Sequence, residues 1–291
     1  MENKNYYRNI DLHMHTTVSD GSDTPREIIA HVKELGIQLF SVTDHDAVKG
    51  CGIVRDSLNE GDPEFVTGVE FSTKDEQGKY HILGYHYDPQ SQAILDIVEK
   101  GHNLRMKKLM GRLDYIKSEF GFVFPEEEIQ KLIKLDNPGK PHIGNLMVKY
   151  GYAESKEIAI DEYINKLHYK SEYVRPEEAI KGILDAGGIP VLAHPFFGSG
   201  DELILGMEME DRIKRLMEFG IRGVESFYSG FSPKLIKEML AIADKYNLYV
   251  TAGSDYHGTN KMVKLGDTGL EEGMELPAGL KRFMTDVSIP I

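Results

Sequence analysis

Apolar and polar positions alternate at two different periods along the first ninety residues. Residues 9–15, NIDLHMH, alternate with the period of two that a half-buried strand requires. Residues 24–36, TPREIIAHVKELG, read as a helix, with Thr24 placed to cap it, Pro25 at its first position and Gly36 past its end. Residues 37–44, IQLFSVTD, form the near-continuous apolar run of a strand buried on both faces. A helix is expected over about 51–59, and residues 64–73, EFVTGVEFST, and 80–87, YHILGYHY, read as a third and a fourth strand.

From 91 to 170 the rhythm is helical only. Leu95, Val98, Leu109, Leu113 and Ile116 recur at helical spacing, and EEEIQKLIK and SKEIAIDEYINKL read the same way on either side of the turn NPGKPH. This stretch is expected to be an α-helical insertion, a cap, in a domain made of 1–90 and 171–291. Strand and helix alternation then resumes. PEEAIKGILDAGG, DRIKRLMEFG and SPKLIKEMLAIADKYN are helices, and IPVLAHP, IRGVESFYS and LYVTAGSD are strands. Strands alternating with helices of this length imply parallel βαβ units. Seven strand candidates suit a barrel better than a short open sheet.

Composition narrows the setting. The single cysteine, Cys51, excludes an internal disulfide and makes the cytoplasm the expected compartment. With no supporting pattern around it, Cys51 reads as a small packed residue and not as a nucleophile. No apolar run approaches a membrane span, and the first ten residues lack a signal-peptide core. A net charge of −13 argues against a broad basic surface for duplex nucleic acid or an anionic membrane. It leaves room for a phosphorylated substrate held locally by metal ions.

In alternating β/α folds the chemistry gathers at the carboxyl ends of strands. His13 and His15 lie on one face at the end of the first strand, and Asp20 follows in the loop. Asp44, His45 and Asp46 follow FSVT, and Glu70 follows VTGV. His81 opens its strand, His194 follows PVLA, and Asp255 and His257 follow YVTAGS. Six of the eleven histidines are thus at or near strand ends, with three carboxylates beside them. Crowded there without ions, these groups would be desolvated at high cost. Nine nitrogen and oxygen donors exceed one tetrahedral site and suit Mn²⁺, Zn²⁺ or Fe²⁺, with open positions for water and substrate.

The succession HMH…D, TDHD, GVE, AHP and SDYH resembles the PHP (polymerase and histidinol phosphatase) family over nearly the whole chain. The helical stretch, with GKPHIGNLMVKYGY and SEYVRPEEAIKGILDAGGIPVLAHP, is similar to a subgroup of bacterial phosphoesterases that act on nucleoside 3′,5′-bisphosphates and trim short RNAs from the 5′ end. The resemblance implies an α/β fold, a distorted (β/α)7 TIM-like barrel with an α-helical insertion, and three divalent metal ions, with manganese favoured. Carried onto this sequence, one ion falls to His13, His15, Glu70 and Asp255, a second to Glu70, His81 and His194, and a third to Asp20, His45 and His257. Metal-activated water is then the nucleophile, and a side-chain nucleophile is unnecessary. Asp44 and Asp46 are expected to orient ligands or handle protons, set against a reading as plain turn carboxylates. Arg105, Lys140 and His142 are the candidate phosphate-binding residues of the cap. Lys140 stands where the subgroup tends to carry Arg, and a lysine cannot make the bidentate fork with phosphate.

The expected substrate is a small phosphorylated molecule or a short single-stranded RNA end. A histidinol-phosphate phosphatase would share the core motifs, but the insertion and GKPH count against it. An amidohydrolase would need a strand-end lysine that the chain lacks in the right place and would leave Asp20, His45 and His257 without a role. A non-catalytic metal-binding module would be expected to have lost ligands, and all nine are present.

Overall fold

The structure, a computed structural model, describes residues 6–135, 138–167, 172–198, 202–271 and 273–288. Asn137 of the expected NPGKPH turn and residues 168–170 at the end of the expected insertion lie outside them.

The first segments form a parallel three-stranded sheet of β1 (Ile10–Asp11), β2 (Leu39–Phe40) and β3 (Glu64–Phe65), with Leu39 between Ile10 and Glu64. Between these strands run α1 (Pro25–Glu34) and α2 (Lys49–Ser57). Thr24 and Glu27 form the reciprocal cap of α1, each side chain bonding the other's backbone N–H. The second helix starts two residues before the expected position.

The expected third strand is split. Its first two residues belong to β3, and β4 (Gly68–Asp75) starts a second sheet with β5 (Gly78–Tyr85), β6 (Ile189–Leu192), β7 (Gly223–Tyr228) and β8 (Tyr249–Gly253), in that order. The expected parallel order holds for β6, β7 and β8 and is interrupted at β5. β5 runs antiparallel to both β4 and β6, while β6, β7 and β8 are parallel. The reason is local: only Glu76 and Gln77 separate β4 from β5, and two residues can make a hairpin but not a crossover.

Backbone hydrogen bonds beyond the regular strands join the two sheets on both sides. Leu12 N–H donates to Ala252 O at 2.9 Å, His15 N–H to Tyr256 O at 2.8 Å, and Asp255 N–H to His13 O at 2.8 Å. On the other side Asp46 N–H donates to Glu70 O at 2.8 Å, and Glu70 N–H to Asp44 O at 3.3 Å. These junctions hold the residues singled out in the sequence.

A 29-residue helix, α3 (Gln92–Phe120), leaves this layer and is about 44 Å long at 1.5 Å per residue. Its first turns stay with the main core, where Ile94 is fully buried and Ile97 packs beside it, while Leu95 is exposed. Its far half carries Leu109, Leu113 and Ile116 into a separate apolar cluster. That cluster is completed by α4 (Glu126–Ile133), α5 (Lys140–Lys149) and α6 (Lys156–Ile158), which runs on through the π-helical turn Ala159–Tyr163. Phe122 stacks on Tyr152 at 4.3 Å there. The chain returns through α7 (Pro176–Asp185), which packs against α3, then α8 (Gly206–Phe219), α9 (Pro233–Lys245) and α10 (Ala278–Val287) around the second sheet. Among the described residues no helix is long and apolar enough to cross a membrane. Cys51 is buried, and burial pushes its thiol up to about 11, which keeps it unreactive.

Candidate active site

Glu70 sits in the middle of the strand ends, fully buried, with five imidazoles around it. Its Oε2 is 3.2 Å from His13 Nε2, 3.1 Å from His15 Nε2 and 3.2 Å from His45 Nδ1. Its Oε1 is 2.9 Å from His81 Nδ1 and 3.3 Å from His194 Nε2. Asp255 Oδ1 lies 3.6 Å from His13 Nε2 and 3.4 Å from both His15 Nε2 and His257 Nδ1. Asp20 completes the far side, 3.4 Å from His257 Nε2, 3.7 Å from His15 Nδ1 and 4.0 Å from His45 Nε2. All nine residues singled out as ligand candidates therefore meet in one cluster.

Within it, three overlapping groups bring donor atoms within 4.8 Å of one another: His15, Asp20, His45 and His257; His13, His15 and Glu70; and His45, Glu70 and His81. A test of fit comes from the atoms themselves. The Nε2 atoms of His13 and His15, Asp20 Oδ1 and Glu70 Oε2 are buried without an aligned hydrogen bond among the described residues. Glu70 Oε2 lies 3.1–3.2 Å from both Nε2 atoms without the alignment of a hydrogen bond, so these polar atoms converge on one another and not on ordinary partners. Imidazole nitrogens and carboxylate oxygens aimed at common points suit divalent ions.

Charge is organised around the same points. Burial opposes ionisation of Glu70, but His45, His13 and His81 outweigh it and hold the carboxyl well below its usual range. Asp255 is held down against burial by His13, His15, His257 and Lys261, and Asp20 by His45, His257 and His15. Burial also opposes charge on His13, yet Glu225, Glu70 and Asp255 raise it well above the ordinary histidine value.

Supporting residues hold the cluster in place. Glu225 accepts from His13 Nδ1 at 2.9 Å and from the His194 backbone N–H at 2.7 Å. Asp11 accepts the backbone N–H groups of His13, Ser254 and Gly266, and burial pushes its carboxyl up to about 6. Tyr228 donates to Asp255 Oδ2 at 2.8 Å, and Lys261 pairs with the same oxygen. Gly253 ends β8 where a Cβ would lie 2.2 Å from that of His13, so no larger residue lets the two strand ends approach. Three of the turns are left-handed at residues other than glycine: Asp46 at φ 50°, His194 at φ 27° and Asp255 at φ 59°.

Asp44 and Asp46 have separate partners. Asp44 accepts from the Thr16 N–H, the Thr16 hydroxyl and the Ser19 hydroxyl at 2.7–2.8 Å, and so pins the loop that carries Asp20. Asp46 accepts from Ser72 N–H at 3.1 Å and from Arg105 Nη2 at 2.5 Å. Gly101, one turn before Arg105, makes that pairing accessible, because a Cβ there would already press on the Asp46 side chain at 3.1 Å. Lys140 donates to Asn165 Oδ1 at 2.6 Å, and His142 Nδ1 accepts from Gly139 N–H at 3.0 Å, tying down the start of α5.

The cleft over the cluster has two lobes that share His45 and His81. One, of about 270 Å³, runs past His194 to Phe197, Tyr228 and Lys261. The other, of about 280 Å³, runs along α3 and the start of α5 and is walled by Lys79, Arg105, Lys108, Arg112, Lys140 and Tyr173. The sequence reading picked out Arg105 and Lys140 of these. The spacing Arg105, Lys108, Arg112, which puts three cations on one helix face, was the available signal for the rest. Asp11, Tyr228 and Lys261 were missed; Asp11 alone had a motif beside it. Glu225 lies near the end of the strand IRGVESFYS, and that position is its signal in the sequence.

Histidines and carboxylates gathered at strand ends beneath an open cleft are the make-up of a metal-dependent hydrolase. The model of the PHP domain matches residues 11–174, and the chain belongs to that family. It is 27% identical to the 5′-3′ exoribonuclease Rnm of Escherichia coli, over 97% of this chain and 94% of that protein. It is 28% identical to the 3′,5′-nucleoside bisphosphate phosphatase of Chromobacterium violaceum, over 86% and 87%. To the phosphoribosyl 1,2-cyclic phosphate 1,2-diphosphodiesterase of Eggerthella lenta it is 27% identical, over 85% and 94%. A crystal structure from Bifidobacterium adolescentis, assigned as a metal-dependent phosphoesterase, superposes with a TM-score of 0.78 at 26% identity, covering 89% of this chain and 91% of that one.

Proposed function

We propose that the chain is a metal-dependent phosphoesterase that hydrolyses a phosphate ester of a nucleotide or a short oligonucleotide. The observation that carries this reading is Glu70 ringed by five imidazoles, beside a lobe of half-buried lysines and arginines. The names of the three relatives support it, since each describes phosphate esters of ribose.

Three divalent ions, manganese favoured, are assigned to His13, His15, Glu70 and Asp255; to Glu70, His81 and His194; and to Asp20, His45 and His257. Bound ions would supply Lewis acidity toward phosphoryl oxygens and lower the pKa of water. The chain's own residues do the rest. Glu225 fixes the orientation of His13 and the His194 backbone together. Asp44 steadies Asp20 through Thr16 and Ser19. Arg105 and Lys140 present positive charge to a second phosphate, and Asp46 aims Arg105 into the cleft. His142 acts one step back, by holding the start of α5. The two joined sheets are read as a distorted (β/α)7 barrel whose parallel strand order is broken by the β4–β5 hairpin, and residues 91–170 as its cap domain.

The test is release of phosphate or nucleotide by Mn²⁺-loaded protein from adenosine 3′,5′-bisphosphate, 5′-phosphorylated short RNA and histidinol phosphate, with His194→Ala as control. Turnover of either of the first two that disappears in the variant supports the reading. Turnover of histidinol phosphate alone moves the substrate to the alternative phosphatase.

A further inference from the structure

The lobe along α3 holds more positive charge than one phosphate needs. Arg105 is matched by Asp46, and Lys140 by the Asn165 amide oxygen. Lys79, Lys108 and Arg112 are half-buried and have no carboxylate within 4.0 Å among the described residues. Three such cations crowded in one concavity repel one another. Lys108 shows the cost: burial, then Arg105, pull its ammonium down to about 7. An anion in the lobe would relieve that repulsion.

The cations are also laid out along a line. Arg105, Lys108 and Arg112 share one face of α3, and the first and last are about 10 Å apart along its axis. Arg105 is the inner end, held against Asp46 beside the centre. Lys79, on the β4–β5 hairpin, lines the same lobe and is close enough to Lys108 to repel its charge. Tyr173, on the wall of this lobe, is covered by the Lys108 ammonium at 3.2 Å from its ring centroid. That ring face is taken by a cation and is not open for a base to stack on.

We infer that this lobe is a track for successive backbone phosphates of a single-stranded oligonucleotide, with Lys79, Lys108 and Arg112 gripping phosphates beyond the one nearest the strand-end cluster. The inference rests on the phosphoesterase reading for which end of the strand enters the centre, and it deepens that reading by choosing oligonucleotide over mononucleotide as the substrate class. Because the grip is on the backbone, the track is indifferent to base identity.

The test separates binding from turnover. Fluorescent 5′-phosphorylated RNAs of two to five nucleotides are titrated with protein in EDTA, which suppresses hydrolysis, at several salt concentrations. Affinity should rise with each added nucleotide until the track is filled. The salt slope of log K for the longest RNA should fall by about 0.7 in Arg112→Gln, the contribution of one phosphate contact on a single strand. Arg112→Lys should restore most of that slope, which separates charge from folding. With Mn²⁺ present, the ratio of kcat/KM for the tetranucleotide to that for adenosine 3′,5′-bisphosphate should drop about tenfold in Arg112→Gln. Affinity that does not depend on length, or an Arg112→Gln effect equal for bisphosphate and tetranucleotide, overturns the track. Length-dependent binding with no hydrolysis of any phosphate ester keeps the track and removes the phosphoesterase reading.

Discussion

The strand-end cluster and the cap lobe lie against each other but are built by opposite means. In the cluster, charge is carried on short side chains, most of them buried, and held by a further layer of groups such as Glu225, Asp11 and Asp44. In the lobe, charge is carried on long lysines and arginines, half-buried, drawn from a hairpin and two helices, three of them without a carboxylate within 4.0 Å among the described residues. The first arrangement suits a task that requires fixed geometry. The second suits a flexible polyanion, because a long side chain can follow a phosphate that is not always in one place.

The contrast can be broken most sharply at Glu70. Glu70→Gln should lower kcat by about a thousandfold or more and strip metal from the purified protein, as read by elemental analysis. A variant that keeps its full metal content would show that the centre does not depend on its central carboxylate. Next in size is the cap. Ile143 is fully buried in the separate apolar cluster, and Ile143→Ala should cost about 2–5 kcal/mol of stability. If the cap is its own unit, hydrogen exchange should rise across 109–164 while metal content stays unchanged. Glu225→Gln should weaken metal affinity by about 10–100-fold without changing the preference for substrate length.

The smallest effect concerns pH. Lys108 is depressed to about 7 by burial and Arg105, with Arg112 and Lys79 adding and Asp46 opposing. Its charge is complete below that value and lost as pH rises through it. Oligonucleotide affinity should therefore weaken about fivefold from about pH 6 to about pH 8, and Lys108→Arg should flatten the change. The same residue works the other way on stability. The folded state disfavours the ammonium, so that penalty is present below pH 7 and fades as the pH climbs toward the unfolded lysine value.

Much of the cluster was legible in the sequence because each strand end carries its chemistry within a few contiguous residues, as in DLHMH and TDHD. Strand periodicity then says which face they share. The reversal of β5 was harder to see, since its apolar pattern is the same in either direction and only the two-residue link reveals it. The helix through Leu95 was legible but its buried face was not, because Ile94 and Ile97 fit a helical period equally well one step away. The lobe was the least legible. Lys79, Tyr173 and the helix face of Lys108 and Arg112 come from three distant segments, and a lysine or arginine on a helix usually means a solvated surface.

Asp46, His194 and Asp255 occupy backbone conformations that glycine would adopt more comfortably. Screens that reward thermal robustness alone should therefore drift toward glycine at these turns, and each step would make a sturdier but emptier scaffold. For anyone improving this chain by directed evolution, those three positions mark where selection for heat and selection for turnover pull apart.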